Sequence, residues 1–475
     1  MSTEKRNEQR DTGTKALRAG VWYTVSNIST KAIMVISTPI FTRMMTKHDY
    51  GVTAAFTSWY YLLVTLCTLN LHDSIGRAKI DYPGRLNEYV GTMQMVAGLA
   101  SAIFAALGLL FLRDTALLMD LPQQLVVMLM IYLIAAPAVT LYQSKLRYQY
   151  RYKGNILITL YTTVASVALS FVLVLLLPEN RYNGRVLGIV LPTVLLSGGL
   201  WLQAMRKHWL KWNIDYAKYG LAISLPLTLN GLSLSILGQS DRVVITKVCG
   251  SELTAVYTIA YQLSILVSLV LNSIGQAWLP WFHDAYVAGD YAGIRKNLRP
   301  LILFGCYIGL GCVAIAPEAI YILGGDSYRD GVWVVAPITL GLVCKFIYVN
   351  YEHIEIHLKR TTYIAAGTAG AAMLNIVLNL IYVPRYGFAA AGYTTFFGYF
   401  VLMIIHYFIT TRILHVRIYD NKFMFAMLAV VSLASFAMMC LYQWIILRYF
   451  IILIMSLGMA WFNRDTIVRF YSKKS

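Results

Sequence analysis

The chain has 475 residues, 58% of them hydrophobic and 13% charged, with a formal net charge of +18. A soluble protein of this size cannot hide so many apolar side chains in a core, so the composition excludes an ordinary soluble enzyme and points to a chain that faces lipid. The positive charge does not point to nucleic acid, because Lys and Arg are scattered through short loops instead of gathered in one patch.

The N-terminal tail, 1–18, is polar and basic. The apolar run that follows, Val21 to Phe41, is longer than a signal-peptide core and lacks a small-residue cleavage site. It reads as the first permanent span. A bilayer core takes roughly 20 helical residues. By that measure the chain carries fourteen spans, near 19–41, 50–72, 89–112, 121–143, 155–177, 186–204, 219–239, 254–275, 300–322, 332–350, 361–383, 388–411, 423–442 and 446–463. The expected fold is therefore an all-α polytopic membrane protein. With the N-terminus in the cytoplasm, Lys and Arg favour the cytoplasmic loops by about three to one, as the positive-inside rule requires. The basic tail 464–475 favours an even number of spans and a cytoplasmic C-terminus. Fusion of the last two would leave thirteen.

An internal repeat divides these spans. FTRMMTKHDYGVTAAFTSWY, Phe41 to Tyr60, is echoed by SDRVVITKVCGSELTAVYTIAYQ, Ser240 to Gln262. The run after each ends on Ser-Ile-Gly, at Ser74 to Gly76 and Ser273 to Gly275. The repeat predicts a six-helix lobe over 19–204, a cytoplasmic linker at 205–218, a second six-helix lobe over 219–411 and two additional helices over 423–463. An even number of spans per copy makes the copies parallel, as in many transporters. Two loops at equivalent points look amphipathic, GRAKIDYPGRLNEYV and QAWLPWFHDAYVAGDYAGIRKN, and read as interfacial helices.

Charged residues inside spans are rare and mark function. The spans hold Lys31, Lys345, Arg448 and Glu318. Lys31 lies near the centre of its span, too deep to reach either interface easily. The other three sit nearer the ends, where they can snorkel. Thr24, Asn27, Lys31 and Thr38 share one helix face by their spacing, as do Thr228, Ser235, Gln239 and Arg242. These polar stripes fit either interhelical hydrogen bonding or a hydrated cavity with a cationic lining. Arg43 and Arg242 end their spans at the outer mouth, as interface anchors or substrate ligands. No carboxylate is expected near mid-membrane. Buried cations suit an anion such as a phosphate or pyrophosphate.

Other chemistry is weakly signalled. Glu352, His353, Glu355 and His357 hold a His pair at i, i+4, but in the order H-x-E-x-H, and no metal is expected. The six cysteines show neither CxxC nor zinc spacing, and there is no P-loop, so no cofactor is expected.

Four segments resemble a known family. ISTPIFTRMMTKHDYG, GQSDRVVITKVCGSELTAVYTIAYQL, QAWLPWF and NIVLNLIYVPRYGFAAAGYTTFFGYF follow, in order, signatures of the bacterial polysaccharide biosynthesis transporters. These are O-antigen-type lipid-linked oligosaccharide flippases of the multidrug/oligosaccharidyl-lipid/polysaccharide exporter superfamily. Val256-Tyr257 departs from the family's Gly-Tyr, so close backbone contact is not expected there. The resemblance implies two lobes in a V-shaped, MATE-like arrangement around a central cavity. It implies a job, moving an undecaprenyl-pyrophosphate-linked repeat unit of O-antigen, capsule or exopolysaccharide across the bacterial inner membrane by alternating access. It implies a substrate-binding set of Lys31, Arg43, Arg242 and Lys345, with Asn27, Thr38, Thr228, Ser235 and Gln239 as polar lining. Coupling to H+ or Na+, contact with membrane lipid, work beside a polysaccharide polymerase and glycosyltransferases, and a monomeric state complete the expectation. A MATE-type cation antiporter, a non-transporting scaffold and a membrane glycosyltransferase are the alternatives. They would need, respectively, a buried carboxylate, polar stripes packed on partner helices, and a large acidic catalytic loop.

Overall fold

The computed structural model describes residues 3–462, and every regular element among them is helical. The tail 464–475 and the Thr24 side chain lie outside what it describes. Helix α1 is Thr3–Met44 and α2 is Lys47–Thr68. Leu69 and Asn70 are both left-handed, which ends α2 and turns the chain through 58° before a 3-10 turn and the short α3, Ile75–Asp81. Then come α4 (Leu86–Leu110), α5 (Leu112–Met119), α6 (Gln123–Tyr148), α7 (Tyr152–Leu176) and α8 (Arg181–Arg206). Beyond the linker lie α9 (Ile214–Cys249), α10 (Ser251–Val287), α11 (Tyr291–Ala314), α12 (Ala316–Gly324) and α13 (Val332–His357). The chain continues through α14 (Thr361–Tyr386) and α15 (Ala389–Phe408), which ends in a π turn, and then α16 (Asn421–Cys440) and α17 (Ile445–Phe462). The last two are separate helices.

Eleven of the described helices are long and apolar enough to cross a membrane, and α2 with the bent segment after it makes a twelfth. The protein is a multi-pass membrane protein. Helix α1 falls short because Ser26, Asn27, Thr30, Lys31, Ser37 and Thr38 dilute its apolar run, and α17 is apolar over Ile445–Gly458, the side chains beyond lying outside the described residues.

The two expected interfacial helices take another form. Leu86 to Val90 of the first already belong to α4, leaving only α3 as a separate piece. The second is not a separate helix: α10 runs unbroken through Pro280 to Val287. The chain breaks only at Gly289, whose φ of +72° ends the helix, and α11 resumes two residues later.

The helices form two compact units. One comprises 1–258, 323–325 and 362–391; the other comprises 259–322, 326–361 and 392–475. Thus α9 and α14, which lie beyond the linker in sequence, fall in the first unit. In the first unit, Phe56 of α2, Leu125 and Leu129 of α6 and Val186 of α8 build a core. Helices α7 and α8 meet across Gly184 and Gly188: a Cβ on Gly188 would lie 2.4 Å from the Ser170 backbone. Small residues four apart let two backbones touch where lipid supplies no hydrophobic drive.

In the second unit α11, α13 and α16 pack together, and α17 lies against α11. Two polar contacts fix α17. The Tyr307 and Ser456 hydroxyls stand 2.6 Å apart, and Arg448 forks onto Glu318 at 3.0 and 2.5 Å. Arg448 also donates to the Ala314 carbonyl and is 1% exposed. It does not snorkel; its charge is met inside the protein.

Candidate functional site

Helix α9 carries the main cationic candidate of the first unit. Arg242 sits two turns from the end of α9, is 6% exposed, and donates to Gln239 Oε1 at 3.2 Å and to the Gly238 carbonyl at 3.1 Å. Its guanidinium lies 5.8 Å from the Tyr257 ring. Tyr50 and Tyr61 of α2 are both within electrostatic reach of it. Tyr50 also reaches the Thr38 hydroxyl and faces a second arginine, Arg185 of α8. Arg185 lies over the Phe41 ring, 3.7 Å from its centroid, and among the described residues its Nη1 has no hydrogen-bond partner. Arg242 of α9 and Arg185 of α8 therefore both lie within electrostatic reach of Tyr50 on α2, with Tyr257 of α10 and the part-exposed Tyr61 beside Arg242. Such a cluster can hold a phosphate through charge-assisted hydrogen bonds while ring faces pack on sugar.

The other expected residues fall into three groups. Asn27 is exposed and Lys31 half-buried, and Lys31 is two turns, about 10 Å, along α1 from Thr38. Arg43 is exposed and folds back onto the Pro39 carbonyl at 3.0 Å. Lys345 belongs to the second unit, with its Nζ 6.0 Å from the Tyr399 ring. Several stripe hydroxyls are spent on their own helices: Thr38 donates to the Met34 carbonyl and Thr228 to that of Ser224, each at 2.9 Å. Ser235 meets Thr65 of α2 at 3.2 Å, which is interhelical bonding.

Sequence reasoning passed over one buried acid, Asp241, and read another, Glu355, only as part of a weak metal pattern; both lie on helices longer than the predicted spans. Asp241 is fully buried. Its Oδ2 accepts from the Tyr257 hydroxyl and its Oδ1 from Asn379 Nδ2, each at 2.7 Å. Asn375 Oδ1 accepts from both Asn379 and Ser240. This network ties α9, α10 and α14 together. Its signal was present in the Ser-Asp-Arg triplet and in Asn375 and Asn379, four apart on one face. The second acid, Glu355 on α13, is hydrogen-bonded to His406 Nδ1 of α15 at 2.8 Å, with both side chains fully buried. The segment from Glu352 to His357 accordingly diverges. Glu355 faces His406, whereas His357 faces His283 at 3.3 Å. Among the described residues no three His, Cys, Asp or Glu are grouped to hold a metal.

Comparison with known proteins agrees with this architecture. The lipid II flippase MurJ, in an inward closed conformation, superposes with a TM-score of 0.70 at 13% identity, covering 94% of this chain and all of that one. An inward-facing MATE multidrug resistance transporter of the MOP superfamily gives 0.63 at 14% identity, over 82% and 98%. These likenesses concern the fold. The capsular polysaccharide biosynthesis protein CapF of Staphylococcus aureus is 24% identical over 221 residues, 43% of this chain, and the match spans about half of CapF, 53%. The profile of the polysaccharide biosynthesis protein family matches residues 16–285, more than half of the chain, and the protein belongs to that family.

Proposed function

We propose that the protein is a flippase, carrying an undecaprenyl-pyrophosphate-linked oligosaccharide across the bacterial inner membrane by alternating access. The observation that carries this reading is the convergence of Arg242 and Arg185 with Tyr50, Tyr61 and Tyr257. Two fixed guanidinium groups suit a pyrophosphate, and flat rings suit sugar faces. Membership of a polysaccharide family and a MurJ-like fold support the same substrate class. Lys31, Asn27 and Thr38 extend the path along α1, while Arg43 and Lys345 serve as secondary contacts. The lobes 19–204 and 219–411 rock to expose the path to each side in turn. Both termini face the cytoplasm, one chain suffices, and a polymerase and glycosyltransferases act as neighbours. The protein performs no covalent chemistry; transport draws on an H+ or Na+ gradient.

The test is a flipping assay in proteoliposomes with a fluorescent lipid-linked oligosaccharide. Arg242→Gln with Arg185→Gln should abolish transport while the protein inserts normally. Flipping at the wild-type rate would refute the reading. The buried acids Asp241 and Glu355 favour a second reading, a small-cation antiporter. It predicts uptake of a cationic dye that Asp241→Asn abolishes.

A further inference from the structure

A different cationic site lies at the other end of the first unit. Arg185 stands near the start of α8 and Lys207 just past its end. Twenty-two residues of helix separate them by about 33 Å, roughly the thickness of a bilayer core. At the Lys207 end a cavity of about 310 Å³ opens between the ends of α6 and α8 and the linker. Its lining includes Lys145, Arg151, Lys207, Gln149, Gln203 and Trp209, and no carboxylate.

Lys145 is the telling residue. It is 3% exposed, yet among the described residues it has no ion pair and its ammonium donates no hydrogen bond. Its charge rests on the Trp209 ring, 3.6 Å from the centroid, and near Tyr142 at 5.4 Å. Lys207 addresses the same indole from 5.2 Å, and Arg151 is within electrostatic reach of Lys145. Helix C-termini attract cations, which accounts for basic residues here but not for an ammonium on a largely buried side chain that opens onto a cavity without an acid to meet it. Glu88 of α4 is taken by Lys211 at 2.9 Å. That pair, with Thr92 donating to the Lys211 carbonyl at 2.8 Å, straps the linker to α4 and so holds Trp209 in place. The arrangement is built rather than a chance cluster of surface lysines: three cations, three amide side chains (Asn87, Gln149 and Gln203) and an aromatic wall, held by a tethered strap.

We propose that this cavity is a binding site for a phosphate group, separate from the transport path. The three cations would share the anion's charge, and Gln149 and Gln203 would supply neutral donors. The phosphate comes from an anionic lipid headgroup or from a soluble phosphate compound at this membrane face. Two probes separate the sources. Full-length protein in phosphatidylcholine nanodiscs is titrated with inorganic pyrophosphate by calorimetry. In parallel, native mass spectrometry measures phosphatidylglycerol retained from mixed micelles. Binding in the first arm assigns a soluble ligand, and retention in the second a lipid. In whichever arm binds, Lys145→Met should weaken binding at least tenfold. Arg151→Gln with Lys207→Gln, which leaves Lys145 packed, should do the same even if Lys145→Met folds poorly. Both arms are run in the Arg242→Gln, Arg185→Gln background, which removes the anion site assigned to the transport path, and binding at the Lys145 cavity should persist there. Absence of binding in both arms overturns the proposal, as does binding that survives the Lys145-site variants or is lost with the arginines of the transport path.

Discussion

Glu355 and His406 hydrogen-bond at 2.8 Å with neither side chain reaching the surface, and the Tyr348 ring stacks on the imidazole at 5.3 Å. Removing one member of a buried pair strands the other, which costs about 3–5 kcal/mol. Glu355→Leu and His406→Leu should each lower the melting temperature sharply in detergent. The double variant should be more stable than either single one, because no polar group is then stranded. Additive losses in the double variant would show that the two residues are not coupled.

The fork between Arg448 and Glu318 depends on geometry as well as charge. Lysine keeps the charge but cannot present two parallel donors. Arg448→Lys should cost about 1.5–3 kcal/mol, the range for hydrogen bonds to charged groups. Limited proteolysis at the 441–444 link reads it directly: the link before α17 should become more sensitive to cleavage, and unchanged protection would contradict the anchoring role.

Gly51 begins the α2 contact with α10. A Cβ there would sit 1.7 Å from the Ser251 carbonyl oxygen, and a helix backbone cannot retreat as a side chain can. Gly51→Ala should destabilise by about 1–3 kcal/mol through overpacking. A melting curve like that of the wild type would mean that α2 and α10 pack less tightly than described.

Arg43 and Arg242 read alike in sequence but differ in setting, one exposed and folded back on its own helix, the other buried among tyrosines. Arg242→Gln should cut the flipping rate by at least tenfold, and Arg43→Gln by no more than about threefold, consistent with the small worth of exposed charges. Equal losses would place both in the path.

Asp420 caps α16 and pairs with Arg299. The arginine hydrogen bond, helped by the Phe423 amide, holds its carboxyl below the usual range. The folded pKa is depressed, so the contribution to stability is present above the unfolded value, about 3.9, and is lost as pH falls through the lower folded one. Protection from hydrogen exchange at the start of α16, taken relative to the intrinsic rate at each pH, should therefore fall in acid below about pH 4 in the wild type. Asp420→Asn should show faster exchange at neutral pH and little further change in acid.

Much of the fold was legible because lipid makes a simple demand, a long apolar run for every crossing. The predicted starts of 332 and 361 coincide with α13 and α14, and 155 lies three residues from the start of α7. Reading failed where polar residues prolong a helix. The Trp- and charge-bearing stretch after Gly275 looked like a separate surface helix, yet nothing before Gly289 stops α10. The same habit of ending spans at the last apolar residue put Asp241 and Glu355 in loops, and Arg185 just outside its span. Lys31 stood out by its depth and by the polar face it shares with Thr24, Asn27 and Thr38. Which cations share a cluster depends on how α2, α8 and α9 approach one another, and spacing within single helices carries no such information.

The pairing of Arg448 with Glu318 also sets an order on biogenesis. The two are 130 residues apart in sequence. At about 5–20 residues per second, the ribosome needs on the order of ten seconds to reach the arginine after making the acid. Through that interval the carboxylate has no cation to meet it, and the nascent bundle keeps an unfinished seam. Arrival of α17 closes the seam, so this unit stays incomplete until α17 has been made, and a chain stalled before it carries a carboxylate without its cation.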